Sequence, residues 1–155
     1  MWAKLILCAA IVAFSVALGA FAAGKYRARR QFYRQFYTFN ERYLTELRFM
    51  RRPLGEFFSA YTYEGDFGAL VIAAAEHKAW DKKAEYLTQE ERAQLADYFH
   101  MLGRGDAQSQ QACFTAQKGI LEEKRTESER EAKTRGELHL KLGLLAGLAL
   151  VILII

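Results

Sequence analysis

The sequence contains one proline and two cysteines in 155 residues. Because proline interrupts helices, its scarcity permits long ones. Alternating runs of β-branched residues bounded by turn signals are missing, which argues against a sheet. Cys8 and Cys113 lie far apart and lack the spacing of a metal or redox motif, so we interpret both as small apolar residues. The composition therefore predicts an all-α fold.

Sequence motifs of catalysis are also missing. There is no glycine-rich phosphate loop, no HExxH and no nucleophile-and-base arrangement. His77, His100 and His139 are scattered, and none pairs with a carboxylate at ligand spacing. The formal net charge of +4 is mild and does not indicate a nucleic-acid partner. We predict a protein that is not an enzyme, with no cofactor, no metal site and no nucleic-acid partner.

Charged residues are absent from an N-terminal run, residues 5–23. As a helix it would span about 28 Å, which is close to the hydrocarbon thickness of a bilayer. A cleaved signal peptide is the alternative, since Ala20-Phe21-Ala22 resembles a cleavage site. Five basic residues follow between Lys25 and Arg34, before any acidic one, and they favour an uncleaved anchor. Residues 1–24 are predicted to be a transmembrane anchor, with the middle of the chain in the cytoplasm.

A second uncharged run occupies residues 142–155. Alone it would span only about 21 Å as a helix, but Leu138 and Leu140 extend it and Lys141 can reach the headgroups. We predict a C-terminal transmembrane segment at residues 139–155. Gly143 and Gly147 form a GxxxG pair that would let the N-terminal helix pack closely. An incidental spacing in a segment rich in glycine, alanine and leucine is an equal alternative.

Residues 25–138 are predicted to form a cytoplasmic helical domain. A helix over residues 29–50 carries an apolar face at spacings of three and four, which indicates core packing rather than stacking on bases. Pro53 marks the start of a second helix. An apolar helix from Phe67 to about Trp80 is expected at the centre of the bundle, after a turn at residues 64–66. Thr88 with Glu91 predicts a capping box at the next helix.

A short segment between two predicted helices is the candidate site. Gly103 and Gly105 form a tight break, and Asp106 is placed to cap the following helix, which runs to the C-terminal segment. Two interpretations stay open: a purely structural corner, or a corner that also binds a partner through the amide of Gln110. Because Gln110 occupies a polar helix position, its replacement by alanine is expected to cost little stability.

Three sequence blocks resemble the stage III sporulation protein AB family of endospore-forming bacteria. The first is an acidic-aliphatic-x-aromatic pattern followed by Pro-Leu. The second is Leu-Gly-x-x-Asp-x-x-x-Gln, and the third is a terminal Leu-Gly-x-Leu-x-Gly-Leu segment. Arg52 and Gly105 depart from a usual threonine and serine. The matching residues are Glu46 to Phe49 with Pro53 and Leu54; Leu102, Gly103, Asp106 and Gln110; and residues 142–148.

This resemblance implies a platform component of the secretion-like complex between mother cell and forespore, in the mother-cell membrane around the forespore. Its soluble domain would be similar to the helical domain of the type II secretion platform protein. The implied partners are the bilayer, the stage III sporulation protein AA-type ATPase and other membrane proteins of the stage III sporulation A complex, with homo-oligomers left open. A type II secretion or type IV pilus platform protein outside sporulation is the alternative.

Overall fold

The computed structural model describes residues 2–50, 52–80 and 84–154, and within these ranges it is helical and free of strands. The all-α prediction is confirmed. The helices are α1 (Trp2–Thr45), a π-helix (Glu46–Met50), α2 (Leu54–Ala60), α3 (Gly65–Ala75), α4 (Gln89–Met101) and α5 (Ala107–Ile154). Contacts divide the chain into two compact units. Unit 1 comprises Met1–Arg30 with Glu127–Ile155, and unit 2 comprises Gln31–Thr126.

Helix α1 differs from the prediction in two ways. The sequence predicts separate helices over residues 5–23 and 29–50, whereas the structure has one helix, Trp2–Thr45. Only Gly24 offers a break between them, and a lone glycine is tolerated inside a helix. The last predicted turn is a π-helix, Glu46–Met50, which no periodicity signal indicated.

Unit 1 is built on close backbone contact between α1 and α5. A Cβ placed on Gly19 would lie 2.7 Å from the carbonyl oxygen of His139, and one on Gly143 would lie 2.7 Å from that of Ser15. Gly147 is less crowded, with Val12 Cα 3.2 Å from its Cβ position. The contacts run in opposite directions along the two helices, which are therefore antiparallel. Small residues at the crossing are what permit this approach.

Charged side chains join the same two helices at the other end of unit 1. Arg29 reaches Glu127 at 3.8 Å and Glu131 at 3.5 Å, with only 13% of its side chain exposed. Within α5, Arg135 and Glu131 form a further pair at a spacing of four residues, 3.5 Å apart. Such pairs contribute modestly where they are exposed. Glycine contacts thus hold one end of the crossing and ion pairs hold the other.

Unit 2 has a core of aromatic rings contributed by each of its α-helices. Phe39 and Phe67 have no exposed surface, and Phe39 packs on Phe57 with ring centroids 5.2 Å apart. Edge-to-face pairs of this kind add to the free energy of burial. The helical face predicted from residues 29–50 supplies much of this core: Phe32, Phe36, Phe39, Tyr43 and, partly buried, Leu47.

The short helices of unit 2 follow their sequence signals in part. Thr88 and Glu91 form the predicted capping box, with each side chain accepting a hydrogen bond from the other residue's backbone N–H at 3.1 and 3.0 Å. Helix α3 begins at Gly65, inside the predicted turn, and ends at Ala75 rather than near Trp80. It is not central on every side, because Ile72 is 61% exposed.

In the part of the chain that the structure describes, one helical stretch, Ile6–Phe49, is long and apolar enough to cross a membrane. Only 11% of its apolar window is buried, which separates it from the core helix of a soluble protein. A signal sequence near the N-terminus satisfies the same criterion. The predicted C-terminal segment lies in α5, whose described part ends at Ile154.

Candidate functional site

The corner between α4 and α5 takes a backbone path that suits its glycines. Gly103 and Gly105 have φ angles of +72° and +92°, which a residue with a Cβ rarely adopts. Asp106 then caps α5: its Oδ1 accepts a hydrogen bond from the Ser109 N–H at 3.1 Å. Hydrogen bonds from the Ser109 hydroxyl and then its N–H lower the pKa of Asp106. The side chain is exposed, and within the chain it acts as the cap of α5.

We predict that Asp106→Asn leaves the melting temperature nearly unchanged and that Asp106→Ala lowers it modestly, since asparagine is an equally good cap. Because the folded pKa lies below the ordinary 3.8, the carboxylate's contribution is complete above that pH and is lost as pH falls through the folded value. Asparagine does not titrate. The melting temperature of the parent should therefore fall between about pH 7 and about pH 3 by more than that of Asp106→Asn. An equal fall in both chains would contradict this role of the carboxylate.

Gln110 is buried at this corner, with 5% of its surface exposed. Its Nε2 donates to the Arg104 carbonyl at 2.7 Å, and its Oε1 accepts a hydrogen bond from the Tyr43 hydroxyl. That hydroxyl in turn accepts from the Gly103 N–H at 3.1 Å. Burial raises the pKa of Tyr43 although the Gly103 bond opposes the shift, so the hydroxyl stays protonated and donates. The sequence placed Gln110 at a polar helix position, whereas the structure buries it, and its amide ties α5 to α1.

Gln110→Ala should therefore lower the free energy of unfolding by about 2 kcal/mol, because it leaves the Tyr43 hydroxyl and the Arg104 carbonyl without their partner. Gln108→Ala, at an exposed position of the same helix turn, is the matched control and should melt like the parent. Chemical unfolding of both variants measures the difference. Equal stabilities would show that water replaces the amide at no cost.

Residues of the first sequence block pack against this corner. Glu46 lies in the π-helix with 4% of its surface exposed, and its Oε1 is 3.5 Å from Nη2 of Arg52. The Pro53 carbonyl accepts the first hydrogen bonds of α2. Leu54 follows, and its Cδ2 lies 3.2 Å from where a Cβ on Gly103 would be. Gly103 is therefore required both by its φ angle and by its contact with Leu54.

These residues surround one cleft in unit 2, with a volume of about 280 Å³, which we call the Glu46 cleft. The structure thus brings together Glu46 and Leu54 from the first block and Gly103, Gly105 and Gln110 from the second. Leu102 lies beside it in the core, Asp106 is an exposed cap, and Gly143 and Gly147 belong to unit 1. The lining residues are Tyr43, Glu46, Leu47, Arg52, Leu54, Phe57, Gly103, Gly105, Ala107 and Gln110.

Among the cleft residues that were not predicted as site residues, two carry polar side chains. Tyr43 was assigned only to the core face, yet its hydroxyl connects Gly103 and Gln110. Arg52 was noted only as a departure from a threonine, yet it is the ionic partner of Glu46. Over the described ranges, no group of three or more His, Cys, Asp or Glu residues could hold a metal ion. The polar side chains that line the cleft are one carboxylate, one guanidinium, one phenol and one amide.

The described part of the chain is thus an all-helical protein with one apolar N-terminal helix of membrane-spanning length and a polar cleft at a helix corner. The chain belongs to the family of stage III sporulation protein AB, whose family model matches residues 4–155. This match favours a role in sporulation over the secretion or pilus alternative. The search of curated proteins found no match, and neither did the search of solved structures.

Proposed function

We propose that this protein is a non-enzymatic membrane platform of the secretion-like complex between mother cell and forespore. Unit 1 would anchor it in the mother-cell membrane, and unit 2 would stand in the cytoplasm. Membership of the sporulation family over residues 4–155 supports the sporulation role. The platform role rests on the resemblance of the three sequence blocks to that family.

Exposed apolar side chains on both helices of unit 1 support its membrane anchoring. Phe14 and Phe21 on α1 are 66% and 86% exposed, and Leu145 and Ile152 on α5 are 61% and 77% exposed. Soluble proteins rarely leave large apolar patches exposed to water. The basic residues that follow the apolar part of α1 favour a cytoplasmic location for unit 2.

The cytoplasmic partner in this proposal is the stage III sporulation protein AA-type ATPase. The observation that carries it is the convergence of two distant sequence blocks on the Glu46 cleft, at the surface of unit 2. The ionisable groups of the cleft are Glu46, Arg52 and Tyr43, and its lining holds no Ser, Cys, Thr, Lys or His that could act as a nucleophile beside a base. Its polar and apolar lining suits recognition of another protein.

Binding of the purified ATPase to the full chain in lipid nanodiscs tests the partner. We expect saturable binding in at least one nucleotide state, measured by biolayer interferometry, and none to empty nanodiscs. Failure to bind without nucleotide, with ATP and with ADP would refute ATPase docking.

Topology is tested by labelling a single cysteine, Thr62→Cys, in a chain in which Cys8 and Cys113 are replaced by alanine. Thr62 is exposed in unit 2. An impermeant maleimide should label it only after the cells are lysed. Labelling in intact cells with the outer barrier opened would place unit 2 outside the cytoplasm.

A further inference from the structure

The carboxylate of Glu46 is buried without a full set of partners. The side chain is 5% exposed, and its Oε1 lies 3.5 Å from Arg52, longer than the usual separation in a charge-assisted hydrogen bond. Its Oε2 is buried and has no hydrogen-bond partner among the residues that the structure describes. A buried acceptor left in this state is costly, so a donor from outside the chain would find a favourable position there.

Neighbouring polar groups of the cleft are already committed elsewhere. The single hydroxyl proton of Tyr43 goes to Gln110 Oε1, and Gln110 Nε2 donates to the Arg104 carbonyl. The Gly103 N–H donates to Tyr43. None of these groups can turn toward Glu46 without losing a bond of its own. Arg52 also lines the cleft, but its Nη2 lies 3.5 Å from the other oxygen, Oε1, so what is missing is a donor to the carboxylate oxygen Oε2.

The other residues that line the cleft indicate which kind of donor group would fit it. Leu47, Leu54 and Phe57 give the cleft apolar walls, and about 280 Å³ accommodates one long side chain rather than a helix. An arginine side chain fits this combination, because its methylene stem packs on apolar walls while its guanidinium binds a carboxylate. The π-helix that begins at Glu46 is a feature often found at functional sites.

We propose that the Glu46 cleft receives an arginine side chain from a protein partner, which donates to the free oxygen of Glu46. The apolar stem of the arginine lies against Leu54 and Phe57. That the partner is the ATPase rests on the proposed function, whereas the preference of the cleft for a guanidinium does not.

The preference is tested on the full chain in detergent micelles with two small probes. N-acetyl-arginine methylamide carries the guanidinium, and N-acetyl-citrulline methylamide is its neutral counterpart of the same shape. Nuclear magnetic resonance of a chain labelled with ¹⁵N-glutamine follows the Gln110 side-chain amide, which lines the cleft. We expect saturable shifts with the arginine probe, about tenfold weaker binding to Glu46→Gln, and no shifts with citrulline. Equal responses to both probes, or to both chains, would overturn the proposal and leave water as the occupant.

Binding to the ATPase provides the second test, with a matched control for each variant. Glu46→Gln removes the charge, and Ala107→Trp blocks the cleft from an exposed lining position without touching the carboxylate. Each should weaken binding about tenfold, a change of about 1.4 kcal/mol. Glu56→Gln and Ala112→Trp change exposed residues outside the lining and should bind like the parent. The melting temperature of each variant is measured alongside its binding. If Glu46→Gln does not fold, the binding of Ala107→Trp tests the proposal instead.

The two tests separate the proposals. If the parent fails to bind the ATPase but binds the arginine probe through Glu46, the proposed partner is wrong and the cleft assignment stands. If the ATPase binds the parent and all four variants alike, and the probes are not distinguished, the cleft assignment is wrong and ATPase docking stands.

Discussion

Replacing Gly143 with leucine should separate α1 from α5 in unit 1, whereas the same change at Gly24 should leave their pairing intact. A Cβ on Gly143 would lie 2.7 Å from the Ser15 carbonyl oxygen and 3.3 Å from Gly19 Cα. These are backbone atoms, so they cannot rotate aside, and the helices must move apart. A Cβ on Gly24 would meet nothing within 4 Å. We expect a loss of at least about 3 kcal/mol for Gly143→Leu, at the upper end of overpacking effects.

Disulfide formation between the two helices measures this pairing. A Cβ on Gly147 would lie 3.1 Å from the Ser15 Cβ, close to the separation of about 3.5–4.5 Å found in disulfides. Cysteines at these two positions, in a chain whose Cys8 and Cys113 are alanine, should oxidise readily. Gly24→Leu should preserve that reaction and Gly143→Leu should abolish it. Unchanged oxidation in Gly143→Leu would show that the glycine contacts do not hold the helices together.

Much of the helical architecture was predictable because it rests on local signals. The aromatic face of residues 29–50 follows from the spacing of residues within one stretch of sequence, and the capping box needs only Thr88 and Glu91. The π-helix was not predictable, since nothing in the spacing of residues 46–50 differs from an α-helix. The burial of only one side of α3 depends on its tertiary neighbours, so its uniform hydrophobicity misled the prediction.

The members of the site were predicted in part, and its chemistry was not. Gly103, Gly105 and Asp106 follow local rules of turns and caps, and the structure uses them in that way. The burial of Glu46 and Gln110 could not be predicted, because residues of both types are usually exposed. Gln110 is buried by Tyr43, which lies 67 positions earlier in the sequence. Spacing along one helix carries no information about such a partner.

A second large effect is expected at Asn40, a polar residue with no exposed surface inside the aromatic core. Its Nδ2 donates to the Phe114 carbonyl at 3.1 Å, and its Oδ1 accepts from the Tyr98 hydroxyl at 2.9 Å. Burial raises the pKa of Tyr98 well above its ordinary value, so this hydroxyl remains a donor. Asn40→Leu keeps a similar volume but leaves the hydroxyl and the carbonyl without a partner. We expect it to lower the free energy of unfolding by about 3 kcal/mol.

Adding Tyr98→Phe to Asn40→Leu should recover part of that loss, because it removes the hydroxyl that Asn40→Leu leaves buried and unpaired. The single Tyr98→Phe change should cost about 1–2 kcal/mol, since it leaves the Asn40 oxygen unpaired instead. The four chains form a double-mutant cycle whose coupling term isolates the Asn40–Tyr98 bond. Urea unfolding of the full chain in mild detergent, followed by near-ultraviolet circular dichroism, provides the free energies. If the two losses simply add, the hydrogen bond contributes nothing, and Asn40 is held in the core by its bond to Phe114 alone.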